Sequence, residues 1–219
     1  FRPQAIARVL IGGPRIDPVC HGIAIHPDAD LRPARGNGHR EPLEIARLEA
    51  AMWRSYYEQR PILLCWQTAE LMQTQLHAPF WRSFLMAYNA ASAAFVFKEG
   101  KRRSHYQQAL PYLQRYYAAI YHLSDTPFDV NKTAQEELEW WIIRRERDRH
   151  PPTEWATLQA NIAAKLYQKP PSAFASYARL RTDAMLLRDQ KGKNITEQDW
   201  QNVQTLLNRS WTALHKAVK

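Results

Sequence analysis

Apolar side chains recur at spacings of three and four residues from residue 41 to the end of the chain, and they do not alternate with polar ones. This spacing places apolar residues on one face of an α-helix and is not typical of strands. The clearest case is the last segment, which carries Trp200, Val203, Leu207, Trp211 and Leu214. We therefore predict an all-α fold, a compact bundle of about seven or eight helices.

Prolines, glycines and capping residues divide this region into separate helices. Proline ends or interrupts a helix but is tolerated in its first turn, and Asp or Thr side chains cap helix N-termini. Asp129 and Thr196 are such caps, Pro111 interrupts the fourth helix, and Gly192 ends the seventh. The predicted helices cover residues 42–59, 62–76, 79–98, 105–123, 129–148, 153–166, 173–189 and 196–214.

The first forty residues have a different composition from the rest. Five of the 7 glycines and five of the 14 prolines lie there, whereas every Trp and Tyr lies later. Regular elements do not persist through so many helix breakers. We predict that residues 1–40 form an irregular Gly- and Pro-rich arm, with short strands at 6–11 and 22–25, or an extension not native to the mature protein. Residues 41–219 are predicted to form a single helical domain.

The arm contains the densest set of metal-ligating side chains. Zinc takes three or four nitrogen, sulfur or oxygen donors, which this segment could supply. Their spacing matches no zinc-finger or zinc-knuckle pattern, and polar Gly- and Pro-rich segments collect such residues without binding metal. We predict no metal site and, since no phosphate-binding glycine loop is present, no cofactor. The residues are Cys20, His21, His26, Asp28, Asp30 and His39.

Positive charge dominates the chain. Thirty Lys and Arg face 21 Asp and Glu, which gives a formal net charge of +9 and favours acidic proteins, nucleic acid or anionic lipid as partners. A predicted helix connection carries the basic cluster Lys98, Lys101, Arg102 and Arg103, whose exposed side chains could contact phosphates. Our first hypothesis is a non-catalytic interaction module that binds an acidic protein or nucleic acid.

A second group of cations ends the fifth predicted helix. Cations at that position complement the negative end of the helix dipole, and acidic residues alternate with them. We predict a solvated face for this group, which consists of Arg144, Arg145, Arg147 and Arg149.

Three charged residues, Glu49, Glu137 and Arg181, lie on otherwise apolar helical stripes. A charge that faces a bundle core must be paired and hydrogen-bonded, so we expect these side chains to meet. Two interpretations remain open: a structural ion-pair network, or a pocket whose carboxylate acts as an acid or base or binds a cationic ligand. The alternative function is therefore an enzyme or a small-ligand carrier. Its pocket would include Tyr56, with Tyr57, Tyr117 and Tyr121 as further candidates.

Other features limit the remaining classes of protein. No Glu-x-x-His pair occurs in the helical region, which argues against a ferritin-like di-iron enzyme. Cys20 and Cys65 are too few for a disulfide-rich secreted domain, so we expect a reducing, cytoplasmic location. No apolar run approaches the roughly 20 residues that span a bilayer. A homo-oligomer formed through the arm is a third hypothesis.

Overall fold

A computed structural model of the protein describes residues 40–124 and 126–219, and this part of the chain is helical without strands. Eight long helices and one single-turn helix, α4, are present in these two ranges. The all-α prediction is confirmed. The helices are α1 (Arg40–Tyr57), α2 (Pro61–Leu76), α3 (Phe80–Glu99), α4 (Arg103–Tyr106), α5 (Leu110–Tyr121), α6 (Val130–Arg145), α7 (Pro152–Tyr167), α8 (Ala175–Lys191) and α9 (Glu197–Val218).

The predicted caps begin the helices that the sequence assigned to them. Thr196 and Asp199 form a reciprocal capping box at α9, in which the Asp199 amide donates to Thr196 Oγ1 at 3.2 Å and the Thr196 amide donates to Asp199 Oδ2 at 2.9 Å. The Asp129 carboxylate accepts from the amide of Lys132 at 2.9 Å. These side chains satisfy backbone donors that have no partner within the helix.

The fourth and fifth predicted helices differ from the structure in their bounds. Residues 105–123 were expected to form one helix interrupted at Pro111, but α5 starts at Leu110 and a short 3-10 turn separates it from α4. Pro111 lies in the first turn of α5, where its missing N–H costs nothing. Helix α6 ends at Arg145, three residues before its predicted end at Asp148. The arm and its predicted strands lie outside the described residues.

The long helices form a closed ring. Extensive contacts join α1 to α2, α2 to α3, α3 to α5, and then each helix to the next as far as α9, which packs back against α1. Short connections make neighbouring helices antiparallel. The C-terminal ends of α1, α3, α6 and α8 therefore lie at one end of the ring, between the N-terminal ends of the other four.

Buried apolar side chains fill the seams between neighbouring helices. Leu48, Leu113, Leu138 and Leu207 are almost fully buried in the main cluster, and Trp155 belongs to a second cluster between α6, α7 and α8. Burying side chains of this size supplies about 1.5 to 3 kcal/mol each. The inward faces of the ring carry polar as well as apolar side chains and leave a space between them.

An apolar surface is exposed on the outer side of α2 and α3. Ile62, Trp66, Phe80, Trp81 and Leu85 contribute to it, and Trp81 is 80% exposed. Within the two described ranges, no helix combines the length and the apolarity that crossing a bilayer requires.

Candidate functional site

A central cavity of about 670 Å³ lies inside the ring, which is within the range of small-molecule sites in proteins. All eight long helices contribute to its wall, because each turns one stripe of side chains toward the ring axis. One lining residue from each helix, in chain order, is Glu49, Leu71, Ala94, Leu113, Glu137, Gln159, Arg181 and Trp211.

Glu49 and Arg181 form a buried ion pair in this wall. Arg181 Nη2 and Nε donate to Glu49 Oε1 at 2.6 and 2.8 Å, and Trp211 Nε1 donates to Glu49 Oε2 at 2.6 Å. Arg181 Nη1 also donates to Gln159 Oε1 at 3.1 Å. Burial disfavours the charged form of Arg181, but the attraction and hydrogen bonding of Glu49, together with the nearby Tyr177 and Glu137, outweigh it and raise the pKa of Arg181. The guanidinium is therefore a permanent cation.

Aromatic rings extend this charged group along the wall. The Arg181 guanidinium carbon lies 5.8 Å from the ring centroid of Trp53 and 5.4 Å from that of Trp140, which are cation–π distances. The rings thus hold the guanidinium from a second direction, and its orientation toward Glu49 is fixed.

Glu137 lines the same cavity but has no ion-pair partner among the described residues. Its carboxylate accepts from Trp141 Nε1 at 2.8 Å and from the Tyr117 hydroxyl at 3.2 Å. Burial raises the pKa of Glu137, although the charge of Arg181 and these two hydrogen bonds act in the opposite direction. The side chain is half-buried, since it faces the cavity. Glu137 therefore keeps its proton to a higher pH than an ordinary glutamate does.

Three of the four candidate tyrosines line the cavity. Tyr56, Tyr57 and Tyr117 do so, whereas the prediction for Tyr121 is wrong: its side chain is 39% exposed and its ring packs on Phe128 outside the cavity. Tyr121 is the last residue of α5, and four residues of helix rotate it by about 40° from the direction of Tyr117. Burial raises the pKa of Tyr56, which keeps its hydroxyl protonated.

The predicted basic cluster lies on the surface, and its members differ in what they contact. Lys98, Lys101, Arg102 and Arg103 are all exposed. Arg103 is neutralised by Glu146 at 2.8 Å and by Glu139 at 3.2 Å, and Arg102 Nε donates to a ring nitrogen of His105. Lys98 lies beside the pocket, since its ammonium is 5.4 Å from the ring centroid of Tyr56, which lines it.

The cavity opens at the end of the ring where α6 and α8 finish. Of the described residues in its wall, only Arg145, Arg147 and Asp148 are exposed, and all three lie at the C-terminal end of α6 or just after it. We call this end of the cavity the opening. Next to it, Arg144 Nη2 donates to both oxygens of Asp189 at 2.9 Å and to the Tyr57 hydroxyl at 2.9 Å.

Sequence reasoning missed the role of Arg144 and Asp189 in this site. Arg144 was grouped with the solvated cations of its helix, but it continues the stripe of Glu137 and Trp141 at helical spacing. Asp189 likewise follows Arg181 at two steps of four residues. Extending each stripe past its charged residue would have identified both side chains.

Two further findings concern metal ligands and related proteins. Within residues 40–124 and 126–219, no three His, Cys, Asp or Glu side chains are grouped as metal ligands, and the candidate ligands of the arm lie outside these ranges. Comparisons with protein families, with characterised proteins and with solved structures return no match for this chain. Function therefore has to be inferred from the chemistry of the cavity itself.

Proposed function

We propose that the protein binds a small organic molecule in the central cavity, as a carrier or as an enzyme. One observation carries this proposal: a cavity of about 670 Å³ has in its wall the Glu49–Arg181 pair and Glu137, which has no ion-pair partner among the described residues. Ligand sites in helical bundles are built from inward-facing polar side chains on facing helices. An aromatic wall with a few placed polar groups is typical of such sites.

A purely structural role explains these residues less well. Protein interiors are packed with few voids larger than a water molecule, so an empty space of this size weakens the bundle. A buried ion pair contributes little net stability compared with apolar side chains of similar volume. The cavity and its charges therefore both lower stability, which is common at functional sites.

The polar groups of the wall suggest how a ligand would be held. Arg181 is neutralised by Glu49, so this pair adds little net charge to the wall and fixes the positions of its polar atoms. Glu137 can accept a hydrogen bond from a ligand hydroxyl or amine when ionised, and it can donate one when protonated. With its raised pKa, Glu137 is also the group in this wall best suited to accept or release a proton.

The proposal is tested by titrating the full chain with N-phenyl-1-naphthylamine, an uncharged aromatic probe whose fluorescence rises in apolar surroundings. We expect saturable binding. Ala94→Phe, which fills the cavity from α3, should weaken binding by more than about tenfold, a difference of about 1.4 kcal/mol. The variant should still fold, because the added ring occupies existing space.

Two control variants separate the cavity from other sites. Ala175→Phe adds the same ring at an exposed position outside the cavity, and Trp81→Ala removes the largest part of the exposed apolar surface. Both should leave the affinity within about twofold, since neither residue lines the cavity. Binding that survives Ala94→Phe, or that is lost with Trp81→Ala, contradicts a ligand site in the cavity.

The basic cluster supports a second candidate function, the interaction module for an acidic protein or nucleic acid. Lys101 and Arg102 are exposed and contact no carboxylate among the described residues, and Lys98 is exposed beside them. Cations that are not neutralised within the protein are available to phosphates or carboxylates of a partner.

This second candidate is tested by fluorescence anisotropy with a short duplex DNA and with an acidic peptide at low and high salt. Replacing Lys98, Lys101 and Arg102 by Gln should weaken low-salt binding by about tenfold or more. With fewer cations, the variant neutralises fewer phosphates, and its binding releases fewer counterions from the DNA. Replacing three exposed cations elsewhere, Arg179, Arg209 and Lys216, is the control for net charge. Equal effects of the two triple variants, or no binding at low salt, would exclude a specific basic site.

A further inference from the structure

Three arginines converge on one aspartate beside the opening of the cavity. Arg144 Nη2, Arg188 Nη1 and Arg147 Nη1 lie 2.9, 3.6 and 3.9 Å from the carboxylate oxygens of Asp189. We call Arg144, Arg147 and Arg188 the arginine cluster. One carboxylate balances only one of these three cations, and Asp148 is the other acidic residue in this part of the wall. Positive charge is therefore in excess at the opening.

The helix ends do not cancel this excess. Neighbouring helices are antiparallel, so partial negative charges from the C-terminal ends of α1, α3, α6 and α8 alternate with partial positive charges from the N-terminal ends of the others. The sum over the ring end is close to zero. Lys98, beside Tyr56, adds a further cation to the same region.

Two buried donors of the arginine cluster also lack acceptors. Arg144 Nε and Arg188 Nε are inaccessible to solvent and have no hydrogen-bond partner within the described part of the chain. The Arg188 guanidinium lies over the ring of Tyr57, which holds it beside the opening. An anion at the opening can therefore reach the cluster only through its other guanidinium N–H groups, above all those of the exposed Arg147, and oxyanions are the acceptors that arginine binds most strongly.

We propose that the arginine cluster binds the oxyanion group, a phosphate, sulfonate or carboxylate, of a molecule whose aromatic or apolar body occupies the cavity. This inference rests on the proposed function, and it names the ligand as an organic anion. Arg144 lies about two helical turns beyond Glu137 on α6, roughly 10 Å along the helix axis. A ligand with its anion at the cluster therefore needs a body of about that length to reach Glu137.

The inference also disfavours one class of ligand. An organic cation that enters at the opening would have to pass the arginine cluster, since the fully exposed residues of the described wall all lie at this end. Like charges at the opening of a site slow and weaken such binding. The sequence pattern alone had left a cationic ligand open as one alternative for the buried carboxylates, and the charge at the opening favours an anion instead.

The test compares two probes with the same aromatic body on the full chain. 8-Anilinonaphthalene-1-sulfonate carries a sulfonate, and N-phenyl-1-naphthylamine does not. Arg147→Gln should weaken binding of the sulfonate probe by about fivefold to tenfold and leave the uncharged probe within about twofold. Arg147 is 57% exposed on its side chain, so this variant should fold normally. Raising the salt concentration should weaken only the sulfonate probe.

Arg179→Gln is the matched control, because it removes the same charge from an exposed position near the start of α8. It should change neither affinity by more than about twofold. The inference is overturned if the sulfonate probe responds equally to Arg147→Gln and Arg179→Gln, or to neither. If the uncharged probe does not bind in the cavity, the proposed function itself fails, and this inference fails with it. The uncharged probe thus separates the two failures.

Discussion

Trp211 donates its indole Nε1–H to Glu49 Oε2 at 2.6 Å, across 162 positions of the chain. Glu49 belongs to α1 and Trp211 to α9, so this hydrogen bond joins the first and last described helices, where the ring closes. The other oxygen of Glu49 accepts both bonds from Arg181 on α8. One buried carboxylate therefore connects three helices and forms part of the cavity wall.

Replacing Glu49 by Ala should strongly destabilise the ring. The substitution leaves the buried cation of Arg181 without its counter-charge and the Trp211 indole without its acceptor. Removing one partner of a buried ion pair costs about 3 to 5 kcal/mol in the free energy of unfolding. Urea denaturation of the two proteins measures this loss.

Glu44→Ala is the control for this prediction, because Glu44 forms an exposed ion pair with Arg47 in the same helix. Its loss should cost less than about 1 kcal/mol. The double variant Glu49→Gln with Arg181→Met should be more stable than Glu49→Ala, since it removes both charges. A similar cost for Glu44→Ala and Glu49→Ala would contradict the prediction, because it would show that Arg181 is not left as an uncompensated buried charge when Glu49 is removed.

Glu137→Gln should stabilise the protein at neutral pH. Burial raises the pKa of Glu137, so the folded state favours the protonated carboxyl. That contribution is fully present below the ordinary pKa of glutamate and is lost as pH rises through the raised pKa. Glutamine mimics the protonated form, so the variant should be more stable than the wild type at pH 8, and the two should converge as the pH falls toward the ordinary pKa of glutamate.

The pH dependence distinguishes this effect from ordinary repacking. Unfolding free energies measured from pH 4 to pH 8 should show a difference between Glu137→Gln and the wild type that grows with pH. Glu139→Gln removes the same charge from a partly exposed side chain of α6 that is paired with Arg103, and it should not gain stability with pH. A difference for Glu137→Gln that is constant over this range would contradict a raised pKa.

Much of the helical architecture could be predicted from local patterns, because periodicity, prolines and caps act within a few residues of one another. Thr196 and Asp129 began their helices as expected, since their cap bonds reach only three residues along the chain. Proline fits both a helix start and a helix interruption, so the sequence alone did not show that α5 starts at Pro111 and its neighbour Leu110.

The ring and its cavity depend on contacts that no local pattern contains. Stripe analysis shows that Glu49 and Arg181 face inward, but it does not show that α9 returns to α1 and leaves a space between the inward faces. The same limit explains Arg144. A cation in a last helical turn fits the helix dipole, and only the position of α8 shows that Asp189 and Tyr57 surround it.

Thr196→Ala should weaken the start of α9. The substitution removes an N-cap oxygen and one half of the capping box, which costs about 1 kcal/mol in unfolding free energy. Thr205→Ala, an exposed position within α9, is the control and should have little effect. An equal loss for both variants would mean that the cap contributes nothing specific.

The contribution of the capping box to stability is predicted to disappear in strong acid. Hydrogen bonds from Thr196 and the nearby Lys191 lower the pKa of Asp199 to about 2. Its stabilising contribution is present above the ordinary pKa of aspartate and is lost as pH falls toward about 2. Asp199→Asn should therefore approach wild-type stability in strong acid, as measured by circular dichroism during urea unfolding.

Gly100→Ala should destabilise the corner that follows α3. The φ angle of Gly100 is −64°, which any residue adopts, so the cost is steric: an added Cβ would lie 2.5 Å from Tyr106 Cδ1. The Tyr106 ring cannot move freely, because it packs on Phe97 at a centroid distance of 4.7 Å and under the guanidinium of Arg145. Overpacking of this kind costs about 1 to 3 kcal/mol, measured by urea unfolding.

Lys101→Ala, at the next and exposed position, should be near neutral. If Gly100→Ala were equally neutral, the ring would have room to shift, and Arg145 would not be fixing this corner beside the opening.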